Sequence, residues 1–183
     1  MLILRCTQKL RMKNLGPVGR HQDSLAPTLG NWHANLIYLA RSPIVLCVND
    51  RSLLSVIVPG RQFPNILSAI TARIGERLRR MGLSEELLLR ERAAMEVVEV
   101  QPSNSKSVLA SMNSFVQGLK FQVPDRFGID ELDELEDLLS ETPMGALKYR
   151  FPVEVAYQLF GIPEEESLKR RKLTNVGRRL FGE

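Results

Sequence analysis

One short segment combines an aromatic ring, an imidazole and an amide at close spacing. Trp32, His33 and Asn35 lie together inside a stretch, residues 24–40, that carries no Asp, Glu, Lys or Arg. A His with a pKa near its ordinary value can serve as a general acid or base, and an adjacent Asn can orient a substrate. A single His on a strand is also commonly a hydrogen-bonded structural residue. His33 and Asn35 are therefore candidate catalytic residues, with a structural role as the alternative.

A second polar segment, residues 104–107, precedes an apolar helical pattern. Its sequence, Asn-Ser-Lys-Ser, offers backbone N–H groups, hydroxyls and one cation to a phosphate or carboxylate. It contains no glycine and so is not a Walker-type loop, and an ordinary helix cap explains the same residues. We predict an anion- or substrate-binding role for Ser105, Lys106 and Ser107, with Asn113 on the helix that follows.

Two groups of basic residues could contact a partner. Arg73, Arg77 and Arg80 recur at spacings of four and three, so they share one side of a helix. A second group follows near the end of the chain: Lys169, Arg170, Arg171 and Lys172. Such residues can bind phosphates, although a solvated helix face is the common alternative. We predict contact with a nucleic acid or a protein partner.

The segment 130–137 is strongly acidic. It contains six Asp and Glu residues, which we expect on the solvent face of a helix formed by Ile129, Leu132, Leu135 and Leu139. The basic tail could fold back onto this face, or onto the same face of a second copy, giving autoinhibition or a homodimer. A loose solvated tail is the alternative.

Composition bounds the class of protein. The chain has 183 residues, 44% of them hydrophobic and 25% charged, which suits one globular core with an appended tail. A net charge of +4 is too small to indicate a nucleic-acid partner. Cys6 and Cys47 lie in apolar runs and resemble buried small hydrophobes rather than a disulfide framework. With His21 and His33 far apart in sequence, we expect neither a metal nor a cofactor.

No apolar run approaches the roughly 20 residues needed to cross a bilayer. We therefore expect a soluble, cytoplasmic protein that is not attached to a membrane. The first 22 residues carry five basic residues and no acid. This composition resembles a transit peptide, but a short strand followed by a solvated basic turn explains it better.

The apolar patterns predict an α+β fold. A strand at residues 2–6 is followed by an alternating strand at 32–39 and by a hairpin whose turn is 49–52. These last three strands should form an antiparallel meander at the centre of the sheet. Helical stripes follow from Ile66 to Leu78 and from Val108 to Leu119. We predict a mainly antiparallel sheet of about four to five strands packed against helices, with a core domain at 1–125 and a helical extension at 126–183 that contains the acidic helix and basic tail.

Several motifs resemble those of an uncharacterised bacterial family, a domain of unknown function. The matching segments are Cys6-Thr7-Gln8-Lys9-Leu10, Trp32-His33-Ala34-Asn35, Val48-Asn49-Asp50 with the following strand through Gly60, and Ser107-Val108-Leu109-Ala110-Ser111-Met112-Asn113. The resemblance covers roughly residues 2–125. It implies a compact bacterial α+β domain and brings no established activity.

Two functions stay open. The first is a bacterial accessory or interaction protein that binds a protein or nucleic-acid partner through its basic residues. The second is an enzyme or sensor for a nucleotide or other phosphate-bearing ligand, with His33 as acid or base and residues 105–107 holding the anion. This second function requires the two polar segments to converge on one pocket.

Overall fold

The computed structural model describes residues 1–13, 15, 25–122 and 131–170. Five strands form one sheet: β1 (Leu2–Cys6), β2 (Trp32–Leu39), β3 (Ser42–Asn49), β4 (Ser55–Pro59) and β5 (Val98–Pro102). Six α-helices surround it: α1 (Gln8–Arg11), α2 (Ile66–Arg80), α3 (Glu85–Ala94), α4 (Lys106–Gln122), α5 (Leu132–Ser140) and α6 (Pro152–Leu159). Short 3-10 helices span Gly60–Asn65 and Gly145–Leu147, and residues 164–170 are also helical.

The sheet is mixed, with the strand order β4-β3-β2-β1-β5. The predicted meander of β2, β3 and β4 is present and antiparallel, but it occupies one side of the sheet. On the other side, β1 pairs in parallel with both β2 and β5. The prediction of a mainly antiparallel sheet is therefore wrong, while the α+β class is confirmed. The physical reason is that helices separate β1 from β2 and β4 from β5, and such crossovers return the chain in a parallel direction.

Strand alternation divides the interior into two apolar clusters. On β2, Trp32, Ala34 and Leu36 belong to the first cluster, and Ile37 and Leu39 to the second. This two-residue period is the one that the sequence predicted. Each fully buried aliphatic side chain contributes about 1.5–3 kcal/mol, so both faces must be covered for the sheet to be stable.

Different helices cover the two faces. The first cluster takes the isoleucines of α2 together with Leu10 of α1 and Leu88 of α3. The second takes the apolar stripes of α4 and α5. Helix α6 contributes Tyr157 to the first cluster and Val155 to the second. The fold is thus a sheet between two helical layers, and the helices that follow β1 and β5 lie on opposite faces.

Helix ends follow local sequence signals. Gly82, just after α2, has a φ of +74°, a left-handed conformation that Gly adopts without steric cost. The Ser84 hydroxyl accepts a hydrogen bond from the N–H of Leu87 at 3.4 Å and so caps α3. Across the described parts of the chain, no helix combines the length and apolarity that spanning a membrane requires.

Candidate ligand-binding site

A crevice opens where β1 and β5 end. These strands are parallel neighbours, so their carboxyl ends meet at one edge of the sheet. The chain leaves β1 into α1, on the first face, and leaves β5 towards α4, on the second. Divergence of two neighbouring connections to opposite faces creates a crevice, which is the usual ligand position in sheets with parallel strands.

A pocket of about 560 Å³ occupies this crevice. Its lining residues come from the ends of β1 and β5, from α1 and from the first turn of α4: Cys6, Thr7, Gln8, Arg11, Met12, Pro102, Ser103 and Leu109. The volume lies within the range of small-molecule sites. The lining includes one cation, that of Arg11, and the hydroxyls of Thr7 and Ser103.

His33 reaches this crevice through a hydrogen bond. Its side chain is fully buried on β2, and its Nδ1 lies 2.9 Å from the Oγ of Ser103. Ser103 is in turn fixed by its backbone, whose N–H donates to the carbonyl of Cys6 at 3.0 Å. A buried imidazole therefore holds a hydroxyl that lines the pocket.

The environment of His33 keeps its ring neutral. Burial, assisted by the positive charge of Arg5, lowers the pKa of His33 to about 4. At neutral pH the ring is therefore the neutral imidazole, with a proton on only one of its two nitrogens, and a second proton binds only at much lower pH. This differs from the near-ordinary pKa that the proposed acid or base role assumed.

Asn35 faces the same side of β2 and makes a different contact. Its Oδ1 accepts a hydrogen bond from the hydroxyl of Thr7 at 2.8 Å. Thr7 lines the pocket, and its backbone N–H donates to the carbonyl of Ala34 at 3.0 Å. His33 and Asn35 therefore each position one pocket hydroxyl, that of Ser103 and that of Thr7.

Arg5 and Asp50 form an ion pair beside this group. Arg5 Nη1 lies 3.5 Å from Asp50 Oδ2, and each side chain is 20% exposed. Burial raises the pKa of Asp50, although Asn31, Arg5 and Arg51 oppose the rise. Three buried atoms of this group have no hydrogen-bond partner among the described residues: Arg5 Nε, His33 Nε2 and Asp50 Oδ1. Unpaired buried polar atoms are uncommon in native proteins and call for an explanation, such as strain, a catalytic role or a bound water or ion. Arg77 Nε and Arg80 Nε, in the contact between α2 and α5, are also unpaired in the described part of the chain.

The segment before α4 lies at the same end of the sheet. Ser105 caps α4 because its Oγ accepts a hydrogen bond from the N–H of Val108 at 3.3 Å, as a helix cap requires. Lys106 and Ser107 are exposed in the first turn, and Asn113 is exposed further along the helix. Ser103, the partner of His33, precedes Ser105 by two residues and lines the pocket. The residues that line the pocket do not include Ser105, Lys106 or Ser107, so their anion- or substrate-binding role stays a prediction.

The basic stripe of α2 is engaged within the chain. Arg73 Nη2 lies 2.5 Å from Asp133 and its Nε 2.7 Å from Glu136. Arg80 pairs with the same two carboxylates of α5. Arg77 pairs with Asp137 and donates to the hydroxyl of Ser140 at 2.8 Å. All three guanidinium groups therefore join α2 to α5, and their predicted contact with a partner stays a prediction.

The acidic residues of α5 are less exposed than the sequence predicted. Glu136 is fully buried, and its Oε1 accepts the N–H of Ile57 at 2.7 Å. Ile57 is on β4, which is an outer strand of the described sheet, so Glu136 satisfies a backbone group that faces away from β3. The expectation of a purely solvent-facing acidic surface is wrong for Asp133, Glu136 and Asp137, because each pairs with an Arg of α2.

The basic tail is described as far as Arg170. Arg170 donates to the carbonyl of Gly82 at 2.5 Å and lies over the ring of Tyr157 at 5.8 Å. Lys169 is exposed. Several predicted features lie outside the described residues: Arg171, Lys172, His21 and the 125/126 boundary of the predicted domains.

Where side chains are described, no group of three His, Cys, Asp or Glu could hold a metal ion.

None of the eight residues that line the pocket was singled out as a site residue from the sequence. The same is true of Arg5 and Asp50, which lie beside His33. Asp50 was predicted only as part of the hairpin turn at 49–52. Its neighbour Asn49 does stabilise that turn, because its Oδ1 accepts the N–H of Ser52 at 2.8 Å. Ser103 directly precedes the predicted anion segment, a proximity that could have indicated it. The sequence around Arg5 gave no comparable signal, because its neighbours His33 and Asp50 lie far away in sequence. Strand pairing in the sheet brings them close to Arg5.

A comparison with protein families gives one result. A family model described as a domain of unknown function, DUF6933, matches residues 3–155 of the 183. The match includes every crevice residue and extends through α5 into α6, beyond residue 125. The resemblance to an uncharacterised family is thereby confirmed. No curated protein and no solved structure matches the chain.

Proposed function

The chain belongs to the DUF6933 family, a domain of unknown function, so we propose a function from the site itself. The proposed function is binding of a small anionic ligand, such as a phosphate-bearing metabolite, in the crevice between β1 and β5. The observation that carries the proposal is the 2.9 Å hydrogen bond between the fully buried His33 and the pocket-lining Ser103. It fixes a polar group at the position where sheets with parallel strands bind ligands.

The pocket offers donors of the kind an anion needs. Arg11 supplies a positive charge at the rim. Helix α4 begins beside Ser103, and its first N–H groups and its dipole favour a negative group near Lys106 and Ser107. Charge-assisted hydrogen bonds of this kind are roughly twice as strong as neutral ones.

His33 has a positioning role in this proposal. If its single proton is on Nδ1, the ring donates to Ser103 Oγ, and the Ser103 O–H is free to donate into the pocket. That tautomer leaves Nε2 as a bare acceptor rather than an unpaired buried N–H, which is the smaller penalty. The low pKa of His33 keeps this arrangement intact at neutral pH.

This proposal follows the ligand hypothesis from the sequence rather than the partner hypothesis. The partner hypothesis depended on the α2 arginines and on the basic tail. The arginines pair with α5, and the tail is described only as far as Arg170. We place the protein in a bacterial cytoplasm as part of the same proposal. The family resemblance supports the bacterial origin, and two buried free cysteines suit a reducing compartment.

Ligand binding can be tested by thermal shift and calorimetric titration of the full chain. The probes are inorganic phosphate, a nucleoside monophosphate and the matching uncharged nucleoside. We expect the phosphate-bearing probes to raise Tm and the uncharged nucleoside to have a smaller effect. Ser103→Ala and Arg11→Ala should each weaken binding about tenfold, because each removes a hydrogen bond to a charged group worth about 1.5 kcal/mol.

Arg61→Ala is the matched control. Arg61 is exposed and does not line the pocket, so its removal changes the net charge as Arg11→Ala does without changing the crevice. Equal affinity losses for Arg11→Ala and Arg61→Ala would show nonspecific charge attraction. Absence of any shift with both phosphate-bearing probes would refute the proposal for these ligands.

A further inference from the structure

The outer edges of the two outer strands, β4 and β5, differ in whether other parts of the chain cover them. At β4, the buried Glu136 accepts the N–H of Ile57, and α5 lies against the strand. At β5, no described segment pairs with the edge opposite β1. Unpaired strand edges are templates for pairing with another chain, and proteins usually cover or interrupt them.

The register of β1 and β5 determines which backbone groups of β5 face outward. The N–H of Leu2 donates to the carbonyl of Val97, and the N–H of Ser103 donates to the carbonyl of Cys6. In a parallel pair, alternate residues direct both groups to the neighbouring strand. Residues 97, 99, 101 and 103 therefore face β1, and Val98, Val100 and Pro102 direct their backbone groups away from it.

This edge is self-complementary, and we propose that β5 pairs with β5 of a second copy in an antiparallel register centred on Val100. Val100 then faces Val100 of the second copy and exchanges two N–H···O bonds with it. Val98 faces Pro102, and its N–H donates to the Pro102 carbonyl. Four backbone hydrogen bonds form, and the missing N–H of Pro102 removes only one further bond at each end.

Side chains agree with the same register. Glu99 and Gln101 project from one face of β5, where the Gln101 amide donates to Glu99 Oε1 at 2.9 Å. In the dimer, Glu99 of each copy lies opposite Gln101 of the other, so the same acceptor and donor meet across the interface. Val98 and Val100, both partly buried against the first cluster, lie on the other face and meet apolar residues.

The dimer would also complete one wall of the crevice. Pro102 lines the pocket, and its neighbour across the proposed interface is Val98 of the second copy. Each copy would thus place a strand beside the pocket of the other. Dimer formation does not require the ligand, so its test is independent of the proposed function.

A single engineered cysteine tests the register directly. Opposed residues of a hydrogen-bonded antiparallel pair have Cα atoms about 5.5 Å apart, within the disulfide range of about 4.4–6.8 Å. Val100→Cys should therefore form a covalent dimer with oxidised glutathione, which accepts the two electrons and is itself reduced. Glu99→Cys is the matched control, because its two copies lie on a diagonal at about 7–8 Å, beyond that range.

Solution mass provides the second measurement. Light scattering of the full chain should give about twice the 20.7 kDa of one copy. Val100→Pro removes the outward N–H without removing a bond to β1 and should give the single-chain mass, while Val100→Thr should stay dimeric. A wild-type mass of one chain, or cross-linking of Glu99→Cys as efficient as that of Val100→Cys, would overturn the proposal. Because Val100→Cys and Val100→Thr keep the backbone N–H, the result does not depend on whether Val100→Pro folds.

Discussion

At the scale of single residues, His33 is the clearest case of a side chain defined by its surroundings. It lies on the middle strand of the sheet, fully buried, with Nδ1 bonded to Ser103. Its pKa is lowered to about 4, chiefly by burial. Protonation would place an unsolvated cation beside Arg5, so the folded protein strongly prefers the neutral ring.

This preference predicts a pH dependence of stability. A His whose folded pKa is about 4, against 6.5 unfolded, contributes fully above pH 6.5 and loses its contribution as pH falls towards 4. Between pH 7 and pH 5, the wild-type free energy of unfolding should fall by about 2 kcal/mol more than that of His33→Asn. Urea unfolding at both pH values measures the difference. Parallel losses in the two proteins would mean that the ring titrates normally.

At the scale of elements, the α2–α5 contact joins the two helical layers around the outer edge of β4. Glu136 is at its centre, bonded to Arg73, Arg80 and the N–H of Ile57. Burial raises the pKa of Glu136, against the opposing influence of Arg73, of the Ile57 N–H and of Arg80. A buried charge of this kind is costly to leave unpaired, so each member depends on the others.

Glu136→Gln should therefore be strongly destabilising. The substitution keeps the shape of the side chain but leaves two largely buried guanidinium groups without their shared carboxylate. We expect a loss of about 3 kcal/mol in the free energy of unfolding. Glu76→Gln is the control: Glu76 contacts Arg73 at 3.4 Å with a side chain 52% exposed, and its loss should cost under about 1 kcal/mol. Similar losses for the two variants would show that the network does not depend on Glu136.

The same contact limits one way of testing for nucleic-acid binding. Reversing the charges of Arg73 and Arg77 would place acids against Asp133, Glu136 and Asp137 and so destabilise the fold itself. Loss of oligonucleotide binding in that variant would not identify a binding surface. Lys169, which is exposed, is the better position for such a substitution.

At the scale of the whole molecule, both apolar clusters share one sheet. Helix α5 contributes Leu132 and Leu139 to the cluster that also contains the α4 stripe, and α6 contributes to both clusters. Elements after residue 131 therefore pack on the strands before residue 60. The division into a core at 1–125 and an extension at 126–183 stays a prediction, and unfolding measurements can test it.

We expect the chain to unfold in one transition. Trp32, the single Trp, is buried in the first cluster, while far-UV circular dichroism reports on helices of both layers. In urea, the two signals should give the same midpoint, because loss of the sheet removes the support of both layers. Helical signal lost at lower urea than the Trp32 signal would instead favour an independent C-terminal extension.

The sequence by itself determined what depends on neighbouring residues. The two-residue alternation of β2, the hairpin turn at Asn49, the isoleucine stripe of α2 and the Ser105 cap all appear as predicted, since strand and helix periods are local properties. The family resemblance likewise followed from short motifs. These local signals also singled out the polar segments around His33 and before α4, whose catalytic and binding roles stay predictions.

Only the tertiary structure decided which distant segments meet. Parallel pairing of β1 with β5 brings Ser103 to His33, across 70 residues of sequence. Helix α5 packs beside the edge of β4 and brings its acidic residues to the arginines of α2. The acidic and basic helix faces, which the sequence suggested were separate surfaces, therefore contact each other. The physical reason is that strand order and helix docking are set by the burial of both sheet faces together, a cooperative requirement that no short window of sequence contains.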